Sequence, residues 1–431
     1  MSSCHASASA NDSLNNHGST RRGLMARAVA TFHIALIFGF VCALVLSAAQ
    51  PLCAQTQSVV YEFLFGTGVG PNSTLLLAGN NLYGTTAGGG RWERGVIFDV
   101  TTTGSATVLH SCNGPAYADP NGLIWGTGNY VFIGTTLGTG FHPNGTVFAL
   151  GRGAKNGHPF RRIYSFNKSG GGSSPVAPMV VDSMGDMYGV TTYGGKGGGT
   201  IFQVLPHGQE KIVYGFPGRP GDGAFPASGL IIDAQGNLYG TASQGGSGTA
   251  CSGGCGVVYK LAPDGTETVL YNFTGGADGA DPLSSLAIDG TGNLYGTTYE
   301  GGGTGCSGAG CGTVFKVTPG GTETVLYSFA GGLDGAQPLA SVILDSKGNL
   351  YGTTYHGGGS GCGGSGCGTV FKILPGGSET LLYSFTGDTD GGLPLAGLTL
   401  DGQGNLFGTA SIGGFIPEGT NGFGVIFKIT P

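Results

Sequence analysis

Gly292-Asn293-Leu294-Tyr295-Gly296-Thr297-Thr298-Tyr299, followed after a glycine-rich loop by Gly312-Thr313-Val314-Phe315-Lys316, decides how the rest of the chain is read. Both runs are short, aromatic and β-branched, and turn residues bound them, so they predict a pair of strands. The pair recurs. Tyr-Gly-Thr-Thr or a close variant places its Gly at 84, 134, 189, 240, 296, 352 and 408, and a partner such as Val96-Ile97-Phe98, Ile201-Phe202 or Val370-Phe371-Lys372 follows each. Two more elements complete the unit. Pro338-Leu339-Ala340-Ser341-Val342-Ile343-Leu344-Asp345 has a counterpart before each Tyr-Gly, and Glu323-Thr324-Val325-Leu326-Tyr327-Ser328-Phe329 recurs in varied form around 109–112, 160–166, 210–216, 267–273 and 379–385.

Four strands in about 50 residues is one propeller blade, far more chain than one coil of a solenoid needs. The sequence therefore predicts an all-β, seven-bladed β-propeller with four-stranded blades. Repeats fall at about 64–114, 115–168, 169–218, 219–275, 276–331, 332–387 and 388–431. The last stops at Pro431 after its third strand, while residues 57–63, containing Ser58-Val59-Val60-Tyr61-Glu62-Phe63, match a fourth strand with no predecessors. Joining the two would complete the last blade and leave no open edge.

These motifs resemble the GloVer tandem repeat of exported bacterial proteins, over about residues 58–431 and most closely in the fourth to seventh repeats. In the first two, Leu77-Ala78-Gly79-Asn80 and Trp125-Gly126-Thr127-Gly128 replace the Asp-x-x-Gly-Asn turn. The resemblance implies export, often with a C-terminal anchor, and no settled activity. The absence of such a tail argues for release or for an N-terminal tether.

Composition agrees with this reading. Of 431 residues 91 are Gly, and each Gly inside a helix costs about 1 kcal/mol relative to Ala. The 23 Phe and 17 Tyr are too many for a disordered linker. Residues 1–54 hold three of the 18 basic and one of the 24 acidic residues, which leaves 55–431 acidic overall and argues against nucleic-acid binding. Residues 1–54 read as an export leader: Arg21, Arg22 and Arg27 precede an apolar stretch from Ala28 to Ala49. It is either cleaved, after Ala49 or Ala54, or kept as an anchor, the only route to a membrane. The surroundings of Arg21-Arg22 resemble a twin-arginine signal, and Gln50 speaks against a lipoprotein site at Cys53. Secretion or residence in the cell envelope is the expectation.

In an antiparallel blade the short turns share one face and the long connections the other, so binding is expected on the loop-rich face. Cys251/Cys255, Cys306/Cys311 and Cys362/Cys367 recur in its loops. In an exported protein they read as local disulfides, since no His recurs beside these pairs to complete a zinc site. Cys112 replaces a repeat Phe and reads as a buried core thiol. Tyr299, Glu300, Tyr355 and His356 open the long loops and are the candidate ligand contacts.

Asp222, Asp278, Asp334 and Asp390 precede Gly on the same face. Either they build Asp-Gly turns or they ring the channel mouth and hold calcium, the one cofactor considered. Asp182, Asp233, Asp289, Asp345 and Asp401 read as turn caps on the opposite face. Lys260/Glu267, Lys316/Glu323 and Lys372/Glu379 flank their turns and are expected to form cross-strand ion pairs.

His110, His142, His158, His207 and His356 share no repeat position, so no histidine ring is supported. Gly361-Cys362-Gly363-Gly364-Ser365-Gly366 matches a dinucleotide fingerprint only by composition, because no helix follows. With two Trp, no Asp boxes and no nucleophile elbow, the common propeller enzymes find no support. The expected function is a non-catalytic module that binds a glycan, a small molecule or a protein. The alternatives are a metal-dependent hydrolase or lactonase using the channel-mouth carboxylates, and a structural cell-surface protein.

Overall fold

The computed structural model describes residues 55–114, 118–138, 144–151, 159–167, 171–218, 220–415, 417 and 420–430. The leader, His142 and His158 lie outside the described residues. By its internal contacts the chain divides into Met1–Ala54 and Gln55–Pro431. The second unit is all-β and consists of seven antiparallel blades.

Blade 5 is typical: Ala287–Ile288, Leu294–Thr298, Thr313–Val317 and Glu323–Ser328 pair in chain order from the inner to the outer edge. The Gly of Tyr295-Gly296 explains the motif. A Cβ there would lie 2.7 Å from Cζ of Phe315 on the third strand, so the missing side chain is the space that the ring fills. The same exchange joins Gly84 to Phe98, Gly352 to Phe371 and Gly408 to Phe427. In blade 4 it joins Gly240 to Tyr259, whose buried hydroxyl finds no partner.

The two threonines have separate tasks. Thr298 shares a hydroxyl hydrogen bond of 2.9 Å with Thr313 inside the blade, whereas Thr297 donates to Pro338 O and Ala340 O of blade 6 at 3.3 and 3.2 Å. Inner segments are thus stitched to the preceding blade by side chains. In blades 3 to 7 only two residues of each inner segment, such as Ile343–Leu344, pair as regular strand.

Blade 7 is assembled from both ends of the unit. Thr399–Leu400, Leu406–Ala410 and Val425–Thr430 pair in order, and Thr56–Glu62 adds to the free edge with Thr56 opposite Thr430 and Val59 opposite Phe427. Burial follows the seams: seven apolar clusters each combine side chains of consecutive blades, and one joins Phe407 and Ile426 of blade 7 to Leu75, Leu82 and Phe98 of blade 1. An outer-strand Phe crosses most seams onto the next third strand, as with Phe273 and Phe315 at 5.1 Å between centroids. Cys112 occupies that place in blade 1, fully buried, with burial pushing its thiol up to about 12.

The expected lysine–glutamate ion pairs are not formed. Lys316 stands opposite Thr324 and Glu323 opposite Val317, one residue away from the register the spacing suggested. Because side chains alternate between faces, that single step puts Lys316 and Glu323 on opposite sides of the sheet. Lys316 lies 5.9 Å from the Tyr295 ring centroid, and Glu323 enters the seam with blade 4, where its Oε1 is buried without a partner.

Candidate binding face

The segment that enters each inner edge begins with a residue before a proline: Gly70, Asp119, Ser174, Phe225, Asp281, Gln337 and Leu393. All seven have φ between +52° and +62°. A side chain in this conformation costs roughly 1–2 kcal/mol, and a residue before proline is normally extended. Hydrogen bonds from two blades hold it there. Asp281 N–H donates to Cys255 O of blade 4 at 3.1 Å, and its carbonyl accepts from Tyr299 N–H of its own blade at 3.1 Å. Gln337 is held by Cys311 and Tyr355 at 2.7 and 3.2 Å, and Leu393 by Cys367 and Ser411 at 2.8 and 3.4 Å.

The proline packs on a glycine of the preceding blade. At Gly312, φ +94°, a Cβ would meet Thr298 O at 2.3 Å and Pro338 Cδ at 2.7 Å. One residue after their prolines, Leu283, Leu339 and Leu395 reach the wall of a central channel of about 150 Å³. The seven positions therefore circle the channel on the loop-rich face. Equivalent backbone presents a glycine and six side chains of five kinds: in order none, carboxylate, hydroxyl, phenyl, carboxylate, amide and isobutyl. Sequence reasoning missed this ring; its signal was the varied residue before a proline in every repeat.

The candidate contacts sit beside it. Glu300 and His356 pair as isolated bridges with Ala280 and Ala336, each one residue before a ring position. Tyr299 and Tyr355 supply the N–H groups that hold Asp281 and Gln337. Tyr355 and His356 have ring centroids 4.4 Å apart, and His356 Nδ1 lies 3.4 Å from Gly366 O. Tyr193, about half exposed, meets the ring residue Phe225 edge-on at 5.9 Å. The long loops are closed by the disulfides Cys251–Cys255, Cys306–Cys311 and Cys362–Cys367, so the carbonyls that hold Asp281, Gln337 and Leu393 belong to cross-linked residues.

Between blades 4 and 5 the face opens into a cavity of about 360 Å³, lined by Ser243, Gln244, Ser252, Asp281, Glu300 and the Cys251–Cys255 disulfide among others. Burial pushes the Asp281 carboxyl up to about 6, and the neighbouring Glu300 adds to the rise. Burial, then Glu300, Tyr355 and Asp281, raise the Tyr299 phenol, which stays neutral.

Asp222, Asp278, Asp334 and Asp390 are not brought together. Each closes its own loop at the outer strand: Asp278 accepts from Tyr271 OH at 3.0 Å and from Thr274 N–H and Oγ1 at 2.7 and 2.6 Å. Asp334 accepts from Tyr327 OH and Ala330 N–H, Asp390 from Tyr383 OH, Thr386 N–H and Thr386 Oγ1, and Asp222 from Tyr214 OH and Gly223 N–H. None of the four lines the channel. Among the described residues no three His, Cys, Asp or Glu come together as a metal-ligating group.

Next to this quartet stand the misplaced glutamates. Burial and then Asp222 push Glu267 up to about 7, and burial and then Asp278 do the same to Glu323. On the short-turn face Asp345 accepts from Lys347 N–H, Asn349 N–H, Asn349 Nδ2 and Tyr351 OH at 2.7–3.1 Å. Burial alone would raise its carboxyl, and these hydrogen bonds outweigh it and hold it low.

Two stretches, residues 49–252 and 248–431, match the Gloeobacter/Verrucomicrobia repeat. The chain belongs to that family. No curated protein matches it. Among solved structures, the extracellular domain of the hybrid two component system BT3049 from B. thetaiotaomicron is 11% identical, over 87% of this chain and 41% of that one, with a TM-score of 0.54. A puromycin hydrolase is 12% identical over 82% and 52%, with a TM-score of 0.51. A gluconolactonase from Xanthomonas campestris is 15% identical over 75% and 88%, with a TM-score of 0.41. At these identities the first two likenesses are of fold alone. No described helix is long and apolar enough to cross a membrane.

Proposed function

We propose that this repeat protein is an exported, non-catalytic binding module whose ligand, a glycan, a small molecule or a protein, lies across the loop-rich face. One observation carries the reading: of seven equivalent backbone positions around the channel mouth, six are non-glycine, strained and held from two blades, and they display largely different side chains. Strain kept at six of the seven repeats is the kind of feature that clusters at functional sites. A structural ring would use one residue throughout, whereas six side chains of five kinds and one glycine make an asymmetric contact surface. Tyr299, Glu300, Tyr355 and His356 border the ring and contribute to it. Three local disulfides that stiffen the loops fit an oxidising compartment.

The test is a binding screen of the purified protein against oligosaccharides, peptides and small polar metabolites, repeated with Gln337→Ala and His356→Ala and with Lys347→Ala on the short-turn face. Loss of binding by tenfold or more in the first two alone is expected. Equal loss in Lys347→Ala, or turnover of a screened compound that depends on Asp278, would overturn the reading.

A further inference from the structure

The ring is not uniform in charge. Its blade 5 position is Asp281, and Glu300 next to it faces the same cavity. No Lys or Arg occupies any ring position or lines this cavity, and neither carboxylate forms an ion pair with a described residue. Both stand on fixed backbone. Asp281 is held by Cys255 and Tyr299, while Glu300 exchanges backbone hydrogen bonds with Ala280 at 2.9 and 3.1 Å. The rest of the lining is polar or small, with Gln244, Ser243 and Ser252 supplying an amide and two hydroxyls and no long aliphatic wall.

Resting on the reading of this face as a binding surface, we propose that the blade 4–blade 5 cavity is its specificity pocket and takes a free amino sugar, whose ammonium pairs with Asp281 and Glu300. The cavity volume suits one sugar ring. The hydroxyls and amide match a polyol, where a lysine side chain would require apolar contact along its stem. A hard divalent cation prefers six to eight oxygens, more than two carboxylates and their neighbours offer. An ammonium has three donors to satisfy, which two carboxylates and Gln244 can accept.

The experiment is calorimetric titration of the protein at pH 6.5 with a glucosamine hexamer, an N-acetylglucosamine hexamer and a cellohexaose. The amine form is expected to bind at least tenfold tighter than the other two. Asp281→Asn and Glu300→Gln should each weaken it by tenfold or more with a thermal midpoint in the absence of sugar no lower than that of the unsubstituted protein. At pH 4.5, where Asp281 is protonated and the amine remains charged, binding should also weaken; of the groups that face Asp281, Tyr299 stays neutral, the cavity cysteines are cross-linked, and Glu300 is the other carboxylate.

Equal affinity for the neutral hexamers, no binding of the glucosamine hexamer, or indifference to both substitutions would overturn the amino-sugar inference. A midpoint raised by calcium and lost in Asp281→Asn would overturn it in favour of a metal site. If another screened ligand then binds in a manner lost by Gln337→Ala, the face still binds and only its ligand class was wrong.

Discussion

Two seams of the same ring solve one packing problem differently. Between blades 5 and 6, Phe329 crosses to Phe371 with centroids 5.2 Å apart, while Tyr327 donates to Asp334 beside Glu379. Between blades 1 and 2 all three outer positions have changed. Cys112 stands for the phenylalanine, His110 for the tyrosine and Phe160 for the glutamate, as the strand registers show. His110 and Phe160 stack at 4.3 Å, and Phe160 in turn meets Phe148 at 5.0 Å. One seam is therefore closed by a ring from its preceding blade beside a glutamate of the outer strand, the other by a ring from its following blade that stands in that glutamate's place. A blade tolerates either, because what the fold requires is filled volume between sheets.

The largest test of that comparison is truncation. Phe329→Ala should cost about 3–5 kcal/mol, as large aromatic deletions from a core do, and Cys112→Ala only about 1 kcal/mol, both read by denaturant unfolding. Near-equal losses would mean that the worn seam depends on its thiol as much as the regular seam depends on its ring.

The loop pins come next. Cys306→Ser with Cys311→Ser opens a loop of only a few residues, so chain entropy sets the loss at about 2 kcal/mol. Blades 1 and 2 have no such pin. Hydrogen exchange should quicken at Gln337, whose N–H bonds Cys311 O, and stay unchanged at Asp119. Unchanged exchange at both would detach the disulfides from the ring.

The seams should also answer pH with opposite signs. Glu267 and Glu323 have pKa values raised to about 7 in the folded protein, so the folded state binds more protons than the unfolded one between about pH 4.5 and 7. Stability from these groups is full below about pH 4.5 and is lost as pH rises through about 7. Burial lowers the His110 pKa, so the unfolded state binds the extra proton there and stability is lost as pH falls below about 6.5. Glu267→Gln with Glu323→Gln should raise the thermal midpoint at pH 8 by a few degrees and leave it unchanged at pH 4. Nature has made this exchange once: the closing strand carries Gln57 at the equivalent position, and its Nε2 donates to Asp390 O at 3.4 Å. A midpoint at pH 8 that does not move would show that neither glutamate is strained.

The smallest effect is expected at Lys316. With no ion pair to lose, Lys316→Ala should change stability by less than about 0.5 kcal/mol at low and high salt alike. A salt-dependent loss would restore the pairing that the register excludes.

Much of this architecture was legible in the sequence. Repetition of Tyr-Gly-Thr-Thr and Val-Phe-Lys gave strand number and blade number, and the likeness of Ser58–Phe63 to an outer strand told how it pairs, as Thr56–Glu62 does beside Val425–Thr430. The paired cysteines and Asp345-type turn caps were legible because each acts within a few residues of itself. The candidate site was legible only in outline. Tyr299 and His356 were singled out from their place at the loop mouths, whereas Asp281 and Gln337, which they flank, lay unremarked before prolines.

What the sequence determined alone is what local chemistry and periodicity can encode: strands, turns, loop pins and the count of units. The tertiary structure decided the rest. Register across a turn moved Glu323 into a seam rather than against Lys316, because one residue reverses the face of a strand. The hydrogen bonds that fix Asp281 come from Cys255 and Tyr299 in two blades, and no spacing within one repeat reveals that they converge. Asp222, Asp278, Asp334 and Asp390 recur as a ring would, yet each is bound to its own tyrosine, because the outer strand lies nearer in space than the other three carboxylates. Periodicity tells which residues are equivalent; only closure of the ring tells which ones meet.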